Sequence, residues 1–167
     1  MLFRSREFRK PLIIMTPKSL LRHPRCISAL DDFTRGGFVE IIDDASADAS
    51  SVNHLVLCSG KLYYELLAEK ENRKAGGIAL VRMEQLYPFP KKQLDKIISK
   101  YSLAKKITWA QEEPENMGAW NYLQRMIKNI SWNLVSRHES ASPATGSHQA
   151  HDREQKALIE EVFKSQL

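Results

Sequence analysis

The stretch Gly77-Ile78-Ala79-Leu80-Val81-Arg82-Met83-Glu84-Gln85-Leu86-Tyr87-Pro88-Phe89-Pro90 decides the fold. It opens as a short apolar run without polar alternation, the pattern of a strand buried on both faces. It then turns polar, crosses two prolines and meets a helical pattern over 91–101. Segments of strand character lie on both sides of it in sequence, each followed by a helical pattern, which is how an α/β layered sheet is built. Ile78 to Met83 is therefore expected at or near the middle of the sheet. The turn from Glu84 to Pro90 is expected at its carboxyl edge, where open α/β sheets hold their ligands.

Working outward, further strands are expected at Leu12–Met15, Phe38–Ile42 (an edge strand), Leu55–Cys58, Ile107–Ala110 and Leu134–Arg137. A short helix follows Thr16, which can cap it, with Pro17 in the first turn and Pro24 as its stop. Another turn is expected over 27–33. The polar, small-residue stretch Asp43 to Ser51 reads as the most mobile loop. A helix over 61–74 carries Leu62, Tyr63, Leu66 and Leu67 on one face and ends at Gly76-Gly77. The next, over 91–101, carries Leu94, Ile97, Ile98 and Tyr101. A helix over 119–130 carries Trp120, Leu123, Ile127 and Ile130. Ser147 caps a last helix whose stripe is Leu158, Ile159, Val162 and Phe163. The expectation is a three-layer α/β/α sandwich around a mostly parallel, or mixed, sheet of five to six strands. Residues 11–167 form the one domain, and residues 1–10 a basic arm or the end of an upstream domain.

At 167 residues, 43 % apolar and 27 % charged, the chain can bury a real core. Its net charge of +5 weakly favours anionic partners. The excess is uneven: residues 1–25 carry seven Lys or Arg against one Glu, and residues 31–50 six acids against one Arg. Two cysteines, Cys26 and Cys58, make neither a disulfide framework nor a metal spacing, and Cys58 is expected reduced in a core strand. No run reaches the roughly 20 apolar residues of a membrane span. The aromatic residues are spaced as core anchors, with no stacking platform for nucleic acid. The start, Met1-Leu2-Phe3-Arg4-Ser5-Arg6, lacks a secretory apolar region. It has the composition of a transit peptide, but it runs straight into a strand, so a fragment boundary explains it as well.

Catalytic chemistry is hard to place. There is no dinucleotide fingerprint and no Walker loop. His148 and His151 share a helix face but give only two metal ligands, too few for a site. Ser59-Gly60 lacks the surrounding pattern of a nucleophile turn. No catalytic, cofactor-binding or metal residue is assigned. Glu112, Glu113 and Glu115 leave one strand, and Arg82 and Glu84 another. On adjacent parallel strands these exits would meet at one edge, with an Arg82–carboxylate pair or an interface ion-pair network as the outcome. Leu86, Tyr87, Phe89, Met117 and Trp120 are candidates for an apolar surface left for a partner. Lys18 and Arg22 lie at a helix start that could hold an anion or a regulatory phosphate.

Five blocks carry a resemblance. They are Arg9-Lys10-Pro11-Leu12-Ile13-Ile14-Met15-Thr16-Pro17-Lys18-Ser19-Leu20-Leu21-Arg22-His23-Pro24, Cys58-Ser59-Gly60-Lys61-Leu62-Tyr63-Tyr64, Arg82 to Pro90, Trp109 to Trp120, and Ser140-Ala141-Ser142-Pro143-Ala144-Thr145-Gly146. In this order, and covering about residues 8–165, they resemble the carboxyl-terminal domain of the 2-oxoglutarate dehydrogenase E1 family. That family usually has Cys at the position of Ala110 and Gln at that of Met117; neither departure removes a catalytic group.

The resemblance implies a transketolase C-terminal-domain-like fold within a thiamine-diphosphate-dependent enzyme. In that family, upstream domains hold thiamine diphosphate and magnesium, and the third domain helps form the homodimer. The full enzyme decarboxylates 2-oxoglutarate and passes succinyl to a lipoyl group on the E2 succinyltransferase. The implied compartment is the cytoplasm of a bacterium or the mitochondrial matrix of a eukaryote. The isolated chain is then expected to be inactive, without a cofactor of its own. Two alternatives stand beside this: a domain of a related thiamine-dependent 2-oxo acid decarboxylase or dehydrogenase, and a stand-alone module binding an anionic metabolite through Lys18 and Arg22.

Overall fold

The computed structural model describes Glu7, Pro11 and residues 13–164. Among them a 3-10 helix, Lys18–Arg22, precedes α1 (Leu30–Thr34), β1 (Ile41–Ile42), β2 (His54–Cys58), α2 (Leu62–Asn72), β3 (Ile78–Met83), α3 (Lys91–Lys100), β4 (Lys106–Pro114), α4 (Trp120–Met126), β5 (Asn133–Arg137) and α5 (His148–Phe163). The five strands form one sheet in the order β1-β3-β2-β4-β5. All pairs are parallel except β1 on β3, so the sheet is mixed, with an antiparallel edge. β2 is the middle strand and β3 stands beside it.

Period-2 alternation sorts the strand side chains into two cores. Leu55, Leu57, Ala79, Val81 and Trp109 meet Leu94 of α3, Tyr101 just beyond its end, and Leu123 of α4. Val56, Cys58, Ile78, Leu80 and Ala110 meet Leu62 and Leu66 of α2 and Leu158 and Val162 of α5. With helices on both faces, every residue of β2 is buried, and this explains the unbroken apolar runs of β2 and β3.

Local chemistry sets the helix ends. Ser147 Oγ accepts from the Ala150 amide and caps α5 as expected. α2 stops at Asn72, and the left-handed residue beyond it is Lys74, φ 52°, rather than Gly76 or Gly77. There the Ala75 amide returns to the Lys70 carbonyl, which closes the last turn. α4 ends at Met126, four residues earlier than its apolar spacing suggested; Ile127 and Ile130 are half-buried in the segment that leads to β5.

Two further expectations fail. Ile13–Met15 form no strand and lie exposed in an irregular segment; Leu12 is outside the described residues. The apolar run there has no neighbouring strand to pair with, so strand propensity alone does not make a strand. The Asp43–Ser51 loop, in turn, is anchored inward. Asp44 is buried, its Oδ2 accepting from the Leu80 amide at 2.9 Å and from Lys70 Nζ at 2.6 Å, while Oδ1 takes the Ser46 amide and hydroxyl.

Candidate functional site

β2 leads through α2 to β3 on one side of the sheet, whereas β4 leads through α4 to β5 on the other. The chain therefore reverses direction at the carboxyl ends of β2 and β4, the switch point where open α/β sheets form a crevice. Arg82 and Glu112 lie on this same rim. Their strands are not adjacent, however: β2 separates them, with Cys58 opposite Arg82 on one side and Ala110 on the other. The two exits do not pair with each other.

Arg82 turns to its own side. Its guanidinium lies 4.6 Å from the Tyr63 ring centroid, donates to Tyr64 Oη at 3.0 Å, and stands 3.5 Å from Glu84. The expected Arg82–carboxylate pair is thus made within one strand end, and two tyrosines of α2 hold the cation by ring contact.

Glu112 belongs to a second cluster, where α2, β4, β5 and α5 converge. Lys61, at the entry to α2, binds Glu112 and, at 3.0 Å, Glu65. Gln155 Nε2 donates to Glu65 Oε2 at 2.8 Å and to Glu112 Oε1 at 2.9 Å, while its Oε1 accepts from Arg137 at 3.0 Å. Arg137 Nη2 also lies 3.0 Å from His151 Nδ1. Burial opposes the charge on Lys61, but its bonds to Glu112 and Glu65 outweigh this and hold its pKa above the usual ammonium value. Glu113 and Glu115 face solvent. Sequence reasoning found Glu112 and missed Gln155 and Arg137, because a lone amide and a strand-end arginine carry no local motif.

The apolar candidates divide. Tyr87 is 82 % exposed; Leu86, Phe89 and Met117 are half-buried; Trp120 is buried against Trp132, with ring centroids 5.1 Å apart. Trp120 is therefore core rather than open surface. Leu86 and Tyr87 line a crevice of about 330 Å³ with Ser59, Trp109, Glu113 and Tyr122. Gln111 holds the floor: its Oε1 accepts from Trp109 Nε1 and its Nε2 donates to the carbonyls of Pro114 and Met117. Gly118, at φ 69°, keeps this possible, since a Cβ there would stand 3.0 Å from the Gln111 amide.

Lys18 and Arg22 are exposed on a five-residue 3-10 turn rather than at the start of an α-helix. His148 pairs with Asp152 while His151 takes Arg137, so the two histidines face different partners. No group of three or more His, Cys, Asp and Glu suited to a metal ion occurs among the described residues. No helix among them is long and apolar enough to cross a membrane.

A larger cavity, about 700 Å³, opens between α5 and the loop 138–146. Arg137 is among its lining residues; its side chain is 8 % exposed, and its buried Nε makes no hydrogen bond and stands 3.7 Å from Glu154. Thr145 Oγ1, also lining it, is buried without a hydrogen-bond partner.

The 2-oxoglutarate dehydrogenase E1 component of Cupriavidus necator is 44 % identical over 164 residues, covering 95 % of this chain and 17 % of its own length. That of Rickettsia felis is 42 % identical over 167 residues, covering 94 % and 17 %, and that of Azotobacter vinelandii is 41 % identical, covering 95 % and 18 %. The chain thus spans 17–18 % of the length of these curated relatives. A solved chain described as "Split gene transketolase, inactive beta4 tetramer" aligns with a TM-score of 0.45 and 15 % identity over 67 % of this chain and 38 % of that one, too remote a likeness to say more. The model of the family described as 2-oxoglutarate dehydrogenase C-terminal matches residues 27–163, which hold the whole sheet and both of its helical layers. The chain therefore belongs to the 2-oxoglutarate dehydrogenase C-terminal family.

Proposed function

We propose that this chain serves as the carboxyl-terminal interface domain of a larger 2-oxoglutarate dehydrogenase E1 component. One observation carries the reading. From Ile13 to Val39 an exposed strap, which includes the 3-10 helix and α1, holds Met15 at 90 %, Leu30 at 79 % and Phe33 at 78 % exposure, with Ile13, Ile27 and Phe38 also open to solvent. An apolar surface this long is a site for contact with another protein body. The strap is tacked to the domain where Arg25 pairs with Glu71 at 2.5 Å and His23 packs on Tyr64. The occupant in this reading is the remainder of the enzyme, because the relatives are about six times as long as the matched region.

The whole enzyme would decarboxylate 2-oxoglutarate with thiamine diphosphate and pass succinyl to the lipoyl group of E2, as a homodimer. In this reading the diphosphate and its magnesium are held by the remainder of the enzyme. What this chain contributes is shape and charge, namely the strap and the rim at Arg82, Glu84 and Tyr87. The test is an assay of 2-oxoglutarate decarboxylation with thiamine diphosphate and magnesium. The chain alone is expected to give no turnover. An E1 component whose own carboxyl-terminal segment is replaced by this chain is expected to give it. Turnover by the chain alone overturns the proposal.

A further inference from the structure

Two neighbouring carboxylates leave β4 in different directions. Glu112 turns toward α2, where it binds Lys61. Glu113 instead lines the rim crevice beside α4. On the α2 side the rim charges are paired, Lys61 with Glu112 and Arg82 with Glu84. Among the described residues no hydrogen bond or ion pair reaches the Glu113 carboxylate. It is also the one charged side chain among the described residues that line the crevice.

Tyr87 and Tyr122 line the crevice with it. Tyr87 is exposed; Tyr122 is half-buried and braced by Phe89, with ring centroids 6.2 Å apart and planes at 75°. The turn that presents Tyr87 is held on both sides. The Glu84 and Gln85 amides donate to the Glu40 carbonyl, and Gln85 Nε2 donates to the Pro88 carbonyl at 2.8 Å. Leu86 and Ala119 add apolar wall, and Ser59 a hydroxyl from just beyond β2.

The face of an aromatic ring attracts a cation, and an unpaired carboxylate adds a full negative charge beside it. The same charge disfavours an anion. About 330 Å³ is at the low end of the range for ligand sites, room for one long side chain rather than a nucleotide. A guanidinium suits these groups better than an ammonium: its plane stacks on a tyrosine ring, and its fork of N–H groups matches a carboxylate. The methylenes of its stem find apolar surface at Leu86 and Ala119.

We propose that the rim crevice seats an arginine side chain from another protein body, with the guanidinium at Glu113 and the two tyrosines. The occupant is an arginine of the remainder of the enzyme, so this inference rests on the interface reading above.

The test is an NMR titration of the 167-residue chain with N-acetyl-arginine amide, N-acetyl-lysine amide and the neutral isostere N-acetyl-citrulline amide. It follows the ring signals of Tyr87 and Tyr122 and the side-chain carboxylate carbon of Glu113. The arginine probe is expected to shift all three saturably in the millimolar range. The lysine probe should bind about threefold more weakly, and the citrulline probe about tenfold. Glu113→Gln should weaken the arginine probe about tenfold and Tyr87→Ala about threefold; both side chains are exposed, so the fold is expected to survive each change. Equal affinity for the citrulline probe, lysine binding as tightly as arginine, an unchanged affinity in Glu113→Gln, or no saturable shift at the two tyrosines overturns the proposal. The titration involves no turnover, so its failure leaves the decarboxylation assay to judge the interface reading by itself.

Discussion

Gln155 of α5 donates to Glu112 at the end of β4, at 2.9 Å, and the same nitrogen reaches Glu65 of α2. A neutral amide thus joins two carboxylates that Lys61 alone would have to neutralise. Gln155→Glu places a third carboxylate among them and removes the donor. It is expected to cost about 2 kcal/mol at pH 7, measured by urea unfolding. Gln155→Glu with unchanged stability would mean that the three elements are not joined here.

Asp44 and Lys70 form the best-buried ion pair among the described residues, at 2.6 Å. Burial raises the Asp44 pKa, but the Leu80 amide and the Lys70 ammonium outweigh it and leave the carboxyl below its usual range. Asp44→Asn strands a buried ammonium and is expected to cost roughly 3 kcal/mol. Adding Lys70→Met should restore much of that loss. A double-mutant cycle from chemical denaturation reads both values.

His54 begins β2, with Nε2 2.8 Å from Thr108 Oγ1. Burial, helped by the nearby Lys106 charge, lowers its pKa from 6.5 to about 4. The folded ring is neutral while the unfolded ring takes up a proton below about pH 6.5, so the unfolded state binds more protons in this window. Stability is therefore fully present above pH 6.5 and is lost as pH falls toward 4, by at most roughly 3 kcal/mol from this group. His54→Gln is expected to flatten that part of the stability–pH curve. A parallel curve for both proteins would contradict the assignment.

Cys58 is buried beside β3, and burial pushes its thiol up to about 12, with Arg82 opposing the rise. Cys26 is exposed. A thiol-reactive aromatic disulfide at pH 8 is expected to label Cys26 quickly and Cys58 only on unfolding, because the thiolate is the reactive form. Mass spectrometry of the labelled peptides distinguishes the two.

The parts of the fold that follow from periodicity were readable in advance. Leu62 and Leu66, Leu94 and Tyr101, and Leu158 and Val162 all pack where helical spacing places them, and Ser147 caps as its side chain allows. The errors have two physical sources. Residues 13–15 have strand propensity but no neighbour to pair with, and pairing is a property of the sheet. Asp44 looked like loop polarity because its partners, Lys70 and Leu80, are 26 and 36 residues away. Arg82 and Glu112 were rightly placed on one rim, but strand order, which no local pattern encodes, put β2 between them. Arg137 and Gln155 escaped notice for the same reason: each matters only through what the topology brings beside it.

The central claim is that the strap from Ile13 to Val39 is a surface built to be covered. Hydrogen–deuterium exchange across that segment tests it most directly, in the isolated chain and in an E1 component carrying this chain as its carboxyl-terminal segment. The account predicts rapid exchange in the isolated chain and slowing by about a hundredfold or more in the larger protein, as buried, packed backbone opens less often. Equal exchange in the two proteins would contradict it.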